Sequence, residues 1–222
     1  MNKLGKKNNW KAYLYILPLM VLSFSLVYYC IIRTVAVSFT DWDGMSDTYT
    51  VVGFQNYAKM LADPVFWKAV TNNVLFFIGT VFIQAGLGFF LALLLKKKLP
   101  GSNLFKAIYF MPIAMATSII TAIFKIIMDP TNGALNQFLR AIHLDGLAMS
   151  WLGDPKIALI SVIAVNIFQW MGFSMITYYA GLMALPDDVY EAAKIDGAGF
   201  WRTTISITFP MLKSTTNLLI VL

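Results

Sequence analysis

P-D-D-V-Y-E-A-A-K-I-D-G-A-G-F-W-R-T-T-I-S-I-T-F-P, residues 186 to 210, is polar and charged, and it is set between two strongly apolar runs. Asp188 with Glu191 three residues on has the spacing of a capping box, which predicts a short helix starting at Val189. Gly197 and Gly199 follow. Glycine takes the left-handed backbone that closes a helix, so the chain is expected to turn there and begin a second short helix at Phe200. Pro210 then restarts the chain toward the next apolar run. The product is an elbow in which Ala192 and Ala193 leave backbone approachable while Ile195, Phe200 and Trp201 present apolar bulk. Two uses fit: insertion into a groove on another protein, with Glu191 as the charged handle, or an amphipathic loop lying in lipid headgroups.

Outward from the elbow the chain is dominated by apolar runs. It is 59% hydrophobic, 15% aromatic and 13% charged, too few polar groups to cover a globular surface, so it must face lipid. The length fits one domain, and no linker or solenoid repeat divides it. The fold class is therefore all-α, a polytopic transmembrane helical bundle over residues 1–222. Spans are expected at about 12–32, 72–95, 107–128 and 157–185, since ~20 apolar residues cross the hydrocarbon. A fifth, at 211–222, is incomplete, because the apolar run after Lys213 is too short to cross. The bulky Tyr28-Tyr29-Cys30 argues against a cleaved leader. Cys30 is the only cysteine, which excludes an intrachain disulfide and reads as a small buried thiol. Gly79, Gly86 and Gly88 read as sites where a neighbouring backbone approaches, and Pro112 falls near the start of the third span.

Charge sets the orientation. Eleven of the seventeen Lys and Arg lie before the first span (Lys3, Lys6, Lys7, Lys11), between the second and third (Lys96, Lys97, Lys98, Lys106), and around the elbow (Lys194, Arg202, Lys213). The positive-inside rule then puts the N-terminus and the elbow on the cytoplasmic face, and it explains the net charge of +6 without a nucleic-acid partner. His143 has no Cys or Glu at ligand spacing, so no metal site is expected, and no G-x-x-x-x-G-K-[ST] is present to cradle a nucleotide. The spans hold no Asp or Glu away from their ends, where ion-coupled carriers keep one, and no cluster suits a membrane enzyme.

The fourth span carries a stripe: Asn166, Gln169, Trp170, Phe173 and Thr177, at i, i+3, i+4, i+7 and i+11. Amides and a hydroxyl among aromatic faces match the hydroxyls and C–H faces of a neutral sugar, and equally match bonding and packing between helices. Thr117, Ser118 and Thr121 in the third span serve local backbone bonding or, for Ser118, a place on the same solute path.

Glu191-Ala192-Ala193, three residues, Gly197, nine residues, Ile207, one residue, then Phe209-Pro210 resembles the EAA loop of the membrane-spanning subunits of binding-protein-dependent ABC importers, with Phe209 where Leu is usual. Val52-Gly53-Phe54-Gln55-Asn56-Tyr57 with Asp63-Pro64-Val65-Phe66-Trp67, and Ser150-Trp151-Leu152-Gly153-Asp154-Pro155, are similar to segments of the sugar-type permeases of that family. The resemblance implies a type I permease core in the bacterial cytoplasmic membrane, with 187–210 as the loop that couples it to an ATPase. It makes Glu191, Ala192, Ala193, Asp196, Gly197, Ala198, Ile207 and Pro210 the coupling residues. It also implies a second, different permease subunit, two cytoplasmic P-loop ATPase subunits that bind ATP and Mg, and an external solute-binding protein. This chain itself would bind no cofactor. Family members complete a fifth and a sixth core helix, so the native chain is expected to be longer by roughly 70 residues. A secondary transporter or a passive channel for a small polar solute is the competing reading, with a structural membrane subunit beside it.

Overall fold

The computed structural model describes residues 10–96 and 100–221. Lys3, Lys6, Lys7, Lys97, Lys98 and Leu222, together with the side chain of Lys11, lie outside the described residues. The chain divides into two compact units, Met1–Ala69 and Val70–Leu222.

In the first unit, helix α1 (Trp10–Ser38) runs past Arg33, several residues beyond the expected end of the first span. Side chains from Tyr13 to Ala36 are all exposed. An apolar helix bare on every side is stable only against lipid or another chain. Cys30 is exposed there as well, and not the buried thiol expected. The chain after α1 folds back on the helix end. Asn56 Nδ2 donates to the carbonyls of Ser38 and Thr40 at 3.0 and 2.7 Å, satisfying helix-end acceptors that have no partner within the helix. Phe39, Phe54 and Tyr57 cluster beside it, and the Tyr57 and Ser38 hydroxyls bond at 2.7 Å. The V-G-F-x-N-Y segment is thus a clasp: Gly53 makes the turn at φ +60°, and α2 (Gln55–Ala62) carries the Asn and Tyr. Asp43 accepts from the Met45 and Ser46 amides and the Ser46 hydroxyl, which lower its pKa to about 2; Asp41 is lowered in the same way by Thr50.

Helix α3 (Pro64–Ile78), a π-helical segment (Gly79–Gln84) and α4 (Ala85–Lys96) form one long apolar rod. Helices α5 (Ser102–Ala114) and α6 (Thr117–Ile127) follow, then α7 (Ala134–Ala141) and α8 (Ala158–Met183). After α8 come α9 (Asp187–Ile195), α10 (Phe200–Thr203), a second π segment (Thr204–Thr208), α11 (Phe209–Met211) and α12 (Lys213–Val221). Among the described residues three helices are long and apolar enough to cross a membrane, or four if α5 and α6 count as one span.

In place of a straight helix over 107–128, α5 and α6 meet at 98°. Met115 and Ala116 are extended between them, with ψ of 143° and 138°. The helix starts at Ser102, so Pro112 lies in its last turn rather than its first, where the ring leaves the Ile108 carbonyl without an amide and the helix ends two residues on.

Helix α8 is the axis of the second unit, packed on α4, α5 and α12. Close approach needs glycine. A Cβ on Gly172 would overlap the Tyr109 carbonyl of α5, and one on Gly88 of α4 would lie 2.6 Å from Ser174 Cβ. Gly79 faces the Ile163 side chain, with 3.0 Å to a Cβ placed there, and not a neighbouring backbone; Gly86 has no neighbour within 4 Å of its Cβ position among the described residues. Ala92, Tyr178, Leu182 and Leu212 form the buried core, with Phe89 edge-on to Tyr178. The connection between α6 and α8 is stitched by Asn136, which is buried. Its amide donates to the Pro130 and Met149 carbonyls, and its Oδ1 accepts from Trp151 Nε1 at 2.7 Å.

Candidate functional site

Two features in the second unit are built for work: a polar cavity beside α8 and the elbow that follows it. The cavity, about 510 Å³, lies between α8, the α3–π–α4 rod and the end of α12. From α8 it takes Asn166, Trp170, Phe173 and Ser174; from the rod, Asn73, Phe76, Phe77, Thr80 and Gln84; from α12, Leu219 and Ile220. Among the described residues no Asp, Glu, Lys or Arg lines it. Gln84 Nε2 donates to Ser174 Oγ at 3.0 Å, and Thr80 Oγ1 is turned onto the Phe76 carbonyl at 2.7 Å. The Asn166 amide and the Trp170 indole N–H have no hydrogen-bond partner among the described residues, and Trp170 is 39% exposed. An amide and an indole held open beside the flat faces of Phe173 and Phe77 can bind and stack an uncharged polyol.

The stripe read from the sequence therefore divides. Asn166, Trp170 and Phe173 face the cavity, while Gln169 sits some 60° away from their mean direction at 3.6 residues per turn. Gln169 is buried and donates to Thr117 Oγ1 at 3.2 Å, the bond between helices that was its other reading. Thr177 bonds the Phe173 carbonyl of its own helix at 2.8 Å and lies below the cavity. Ser118, on α6, is exposed and does not line it. Missing from the sequence reading were Asn73, Thr80 and Gln84. They recur at i, i+7 and i+11 within an apolar span, a signal of the same kind as the one in α8. The π segment widens the turn there and brings both Thr80 and Gln84 onto the cavity wall.

In the elbow, α9 begins at Asp187, two residues earlier than the capping-box reading had it. Pro186 occupies the cap with φ −63° and ψ 135°, and no side chain caps the helix. Asp187 and Asp188 both fall in the first turn, where they complement the helix dipole without a capping bond. The C-terminal end follows the sequence reading. The Ala198 amide bonds the Ala193 carbonyl at 2.9 Å and the Gly197 amide bonds Lys194 at 3.1 Å, with Gly197 at φ +72°: a Schellman turn. Gly199 is extended, so Gly197 alone supplies the left-handed residue.

Ala193 is buried against the chain's own bundle, so of the alanine pair only Ala192 remains approachable. Glu191, Asp196 and Pro210 are exposed, and Ala198 and Ile207 half-buried. Ile195 is 86% exposed, Trp201 68% and Phe200 51%, an apolar surface that wants a cover. Pro210 does not restart the chain. It lies inside a helical run, directly after the π segment where the ordinary hydrogen-bond ladder is already broken, and the bend falls at Leu212.

The chain matches the family model described as binding-protein-dependent transport system inner membrane component over residues 84–221. It is 37% identical to the "Probable ABC transporter permease protein YurN" of Bacillus subtilis, over 93% of this chain and 71% of that protein. It is 34% identical to the lactose transport system permease protein LacF of Rhizobium radiobacter, over 93% of this chain and 67% of that one. Among solved structures it resembles a chain of the bacterial alginate ABC transporter, crystallised in complex with alginate pentasaccharide-bound periplasmic protein. The TM-score is 0.80 at 23% identity, covering 97% of this chain and 71% of that one, a likeness of fold. The apolar helices, the elbow with its glycine turn and these matches together place the chain in the family of inner membrane components of binding-protein-dependent transport systems, as a multi-pass permease subunit of an importer.

Proposed function

We propose that this permease carries a neutral sugar or oligosaccharide, delivered by an extracytoplasmic binding protein, across a bacterial cytoplasmic membrane, and that ATP hydrolysis on separate subunits drives it through the elbow at 187–210. The observation that carries the reading is the uncharged cavity with the Asn166 amide and Trp170 indole unpartnered inside it. A phosphorylated or acidic solute held there would face no cation. The sugar named in the lactose relative supports the same class, whereas the alginate transporter imports an acidic polysaccharide and supports only a saccharide solute. The importer would pair this chain with a second permease subunit above two P-loop ATPases holding ATP and Mg. Its N-terminus and elbow would lie on the cytoplasmic side. Glu191, Ala192, Asp196 and the exposed Ile195 and Trp201 would fill the ATPase groove, while Gly197 with Ala193, Ala198, Ile207 and Pro210 would hold the elbow's shape.

The test is uptake of radiolabelled lactose, trehalose and xylose by the assembled transporter. Asn166→Ala and Trp170→Ala are expected to raise the half-saturating sugar concentration roughly tenfold, about the worth of one good polar or stacking contact. Gln169→Ala, a change between helices, is expected to alter stability before affinity. Wild-type uptake in both Asn166→Ala and Trp170→Ala would remove the cavity from the solute path.

A further inference from the structure

The elbow is joined to the rod that walls the cavity by a contact the family motif does not include. Lys96, the last residue of α4, places its Nζ 3.3 Å from the centroid of the Tyr190 ring on α9. That is a close cation–π contact, and the cation also sits at the C-terminal, negative end of the α4 dipole. The ring is fixed from its other end. Tyr190 OH and Thr208 Oγ1 are 3.3 Å apart, Thr208 is buried, and its hydroxyl donates to the Thr203 carbonyl at 3.2 Å. Lys96 is half-buried beside a cavity of about 340 Å³ that Leu93, Asp187, Phe200 and Thr204 also line, and partial removal from solvent strengthens the hold of its ammonium on the ring. At the far end of the same rod, Gln84 and Thr80 form the cavity wall, and Gln84 is bonded to Ser174 of α8.

We propose that Lys96 is a positioning residue, and that the Lys96–Tyr190 contact makes α4 a strut carrying movement of the elbow to the cavity wall at Thr80 and Gln84. The inference rests on the coupling reading of the elbow given above. A helix is stiff along its axis, and α4 from Ala85 to Lys96 is continuous with the π segment, whose irregular ladder is the compliant element at the receiving end. A pull on α9 therefore reaches Gln84 as a displacement along α4 and loads the Gln84–Ser174 bond. The lysine works through Tyr190 and touches no solute.

The experiment uses the assembled transporter in nanodiscs and compares hydrogen–deuterium exchange with and without ATP and Mg2+, reading α9 and the segment Gly79–Gln84 separately. In the unsubstituted complex both are expected to change with nucleotide. In K96Q and in Y190L the response of α9 persists, while that of Gly79–Gln84 falls roughly fivefold, in keeping with the loss of one partly desolvated cation–π contact. K96R and Y190F keep a cation on a ring and retain most of the response. The double variant is no worse than either single one, since both remove the same contact. A full nucleotide response at Gly79–Gln84 in K96Q and Y190L overturns the proposal, as does a K96R variant as defective as K96Q. If α9 of the unsubstituted complex does not respond to nucleotide, the coupling reading fails and the strut falls with it. A response at α9 without one at Gly79–Gln84 sinks the strut alone.

Discussion

Gly197→Val isolates the shape of the elbow from its chemistry. Gly197 holds φ +72°, and no described residue lies within 4 Å of where its Cβ would be, so the penalty of adding a Cβ is conformational. The left-handed region costs an L-residue roughly 1–2 kcal/mol, with a β-branched side chain at the upper end. That energy acts against the two bonds of the Schellman turn, Ala198 to Ala193 and Gly197 to Lys194, which have no other route to satisfaction while the turn is closed. A shift of this size changes the ratio of closed to open elbow by a factor of about 5–30. If the closed elbow is the form that docks, as proposed, the apparent affinity for the ATPase is expected to fall by the same factor at most. Membrane insertion is set by the apolar spans and stays intact. The assay is a titration of ATPase subunits onto the permease pair in nanodiscs, with Gly197→Asn as a control that tolerates φ > 0 and loses little. A Gly197→Val variant that binds and transports like the unsubstituted protein would show that the turn's shape is irrelevant to docking and refute the reasoning.

Three further outcomes follow from the geometry. Gly172→Ala drives a methyl into the Tyr109 carbonyl and should destabilise the α5–α8 contact by about 1–3 kcal/mol, seen as a lower unfolding temperature in detergent; an unchanged temperature would mean the helices are not in backbone contact. Asn136→Ala removes the partner of the Trp151 N–H and of two carbonyls in a part-buried site, so the connection between α6 and α8 should become protease-sensitive, at about 1 kcal/mol for the lost bonds. Asp43, held at a pKa of about 2 against an ordinary 3.8, favours the folded loop most above pH 4, and that contribution is lost as pH falls toward 2. Its titration is to be followed through the Met45 and Ser46 amide shifts, and a midpoint near the ordinary value would contradict the bonds drawn to it.

What the sequence revealed and what it concealed separate by range. Gly197 could be read because its task is local: a polar helix must stop before the next apolar run, and only the residue without a Cβ closes it cheaply. The cap could not. Asp188 and Glu191 have the right spacing, but Pro186 sets the backbone of the entrance, and the helix begins before Asp188 can serve as cap. Hydropathy found the spans and missed the 98° bend, because an apolar count is indifferent to which turn Pro112 occupies. In the fourth span, spacing put five residues on one stripe and burial then divided them. Gln169 at the stripe's edge faces α6, and the distance along the helix takes Thr177 past the cavity. Lys96 is the extreme case. As one of three consecutive lysines it reads as a topology signal, and nothing in the linear chain shows that a tyrosine ring lies beneath it.

The three walls of the cavity have one property in common, which is where they end. Helix α8 reaches the elbow through Ala184, Leu185 and Pro186 alone, too short a connection to absorb a movement of α9. The end of α12 that closes the cavity connects back through Leu212 to the helical run that leaves the elbow at Phe200. The rod holding Thr80 and Gln84 ends at Lys96, on Tyr190. Between elbow and cavity these same elements are locked by Ala92, Tyr178, Leu182 and Leu212, each nearly inaccessible, with Tyr178 OH bonded to Thr216 of α12 at 3.1 Å. A core packed to this density shifts as a body rather than deforming. The compliant places are the two π segments, one at the cavity wall and one where the chain leaves the elbow. On the proposed coupling, a load applied to the exposed face of Ile195 and Trp201 would pass through this locked core. It would be released where the ladder is irregular, and on the cavity side that place holds the polar groups that would meet the solute.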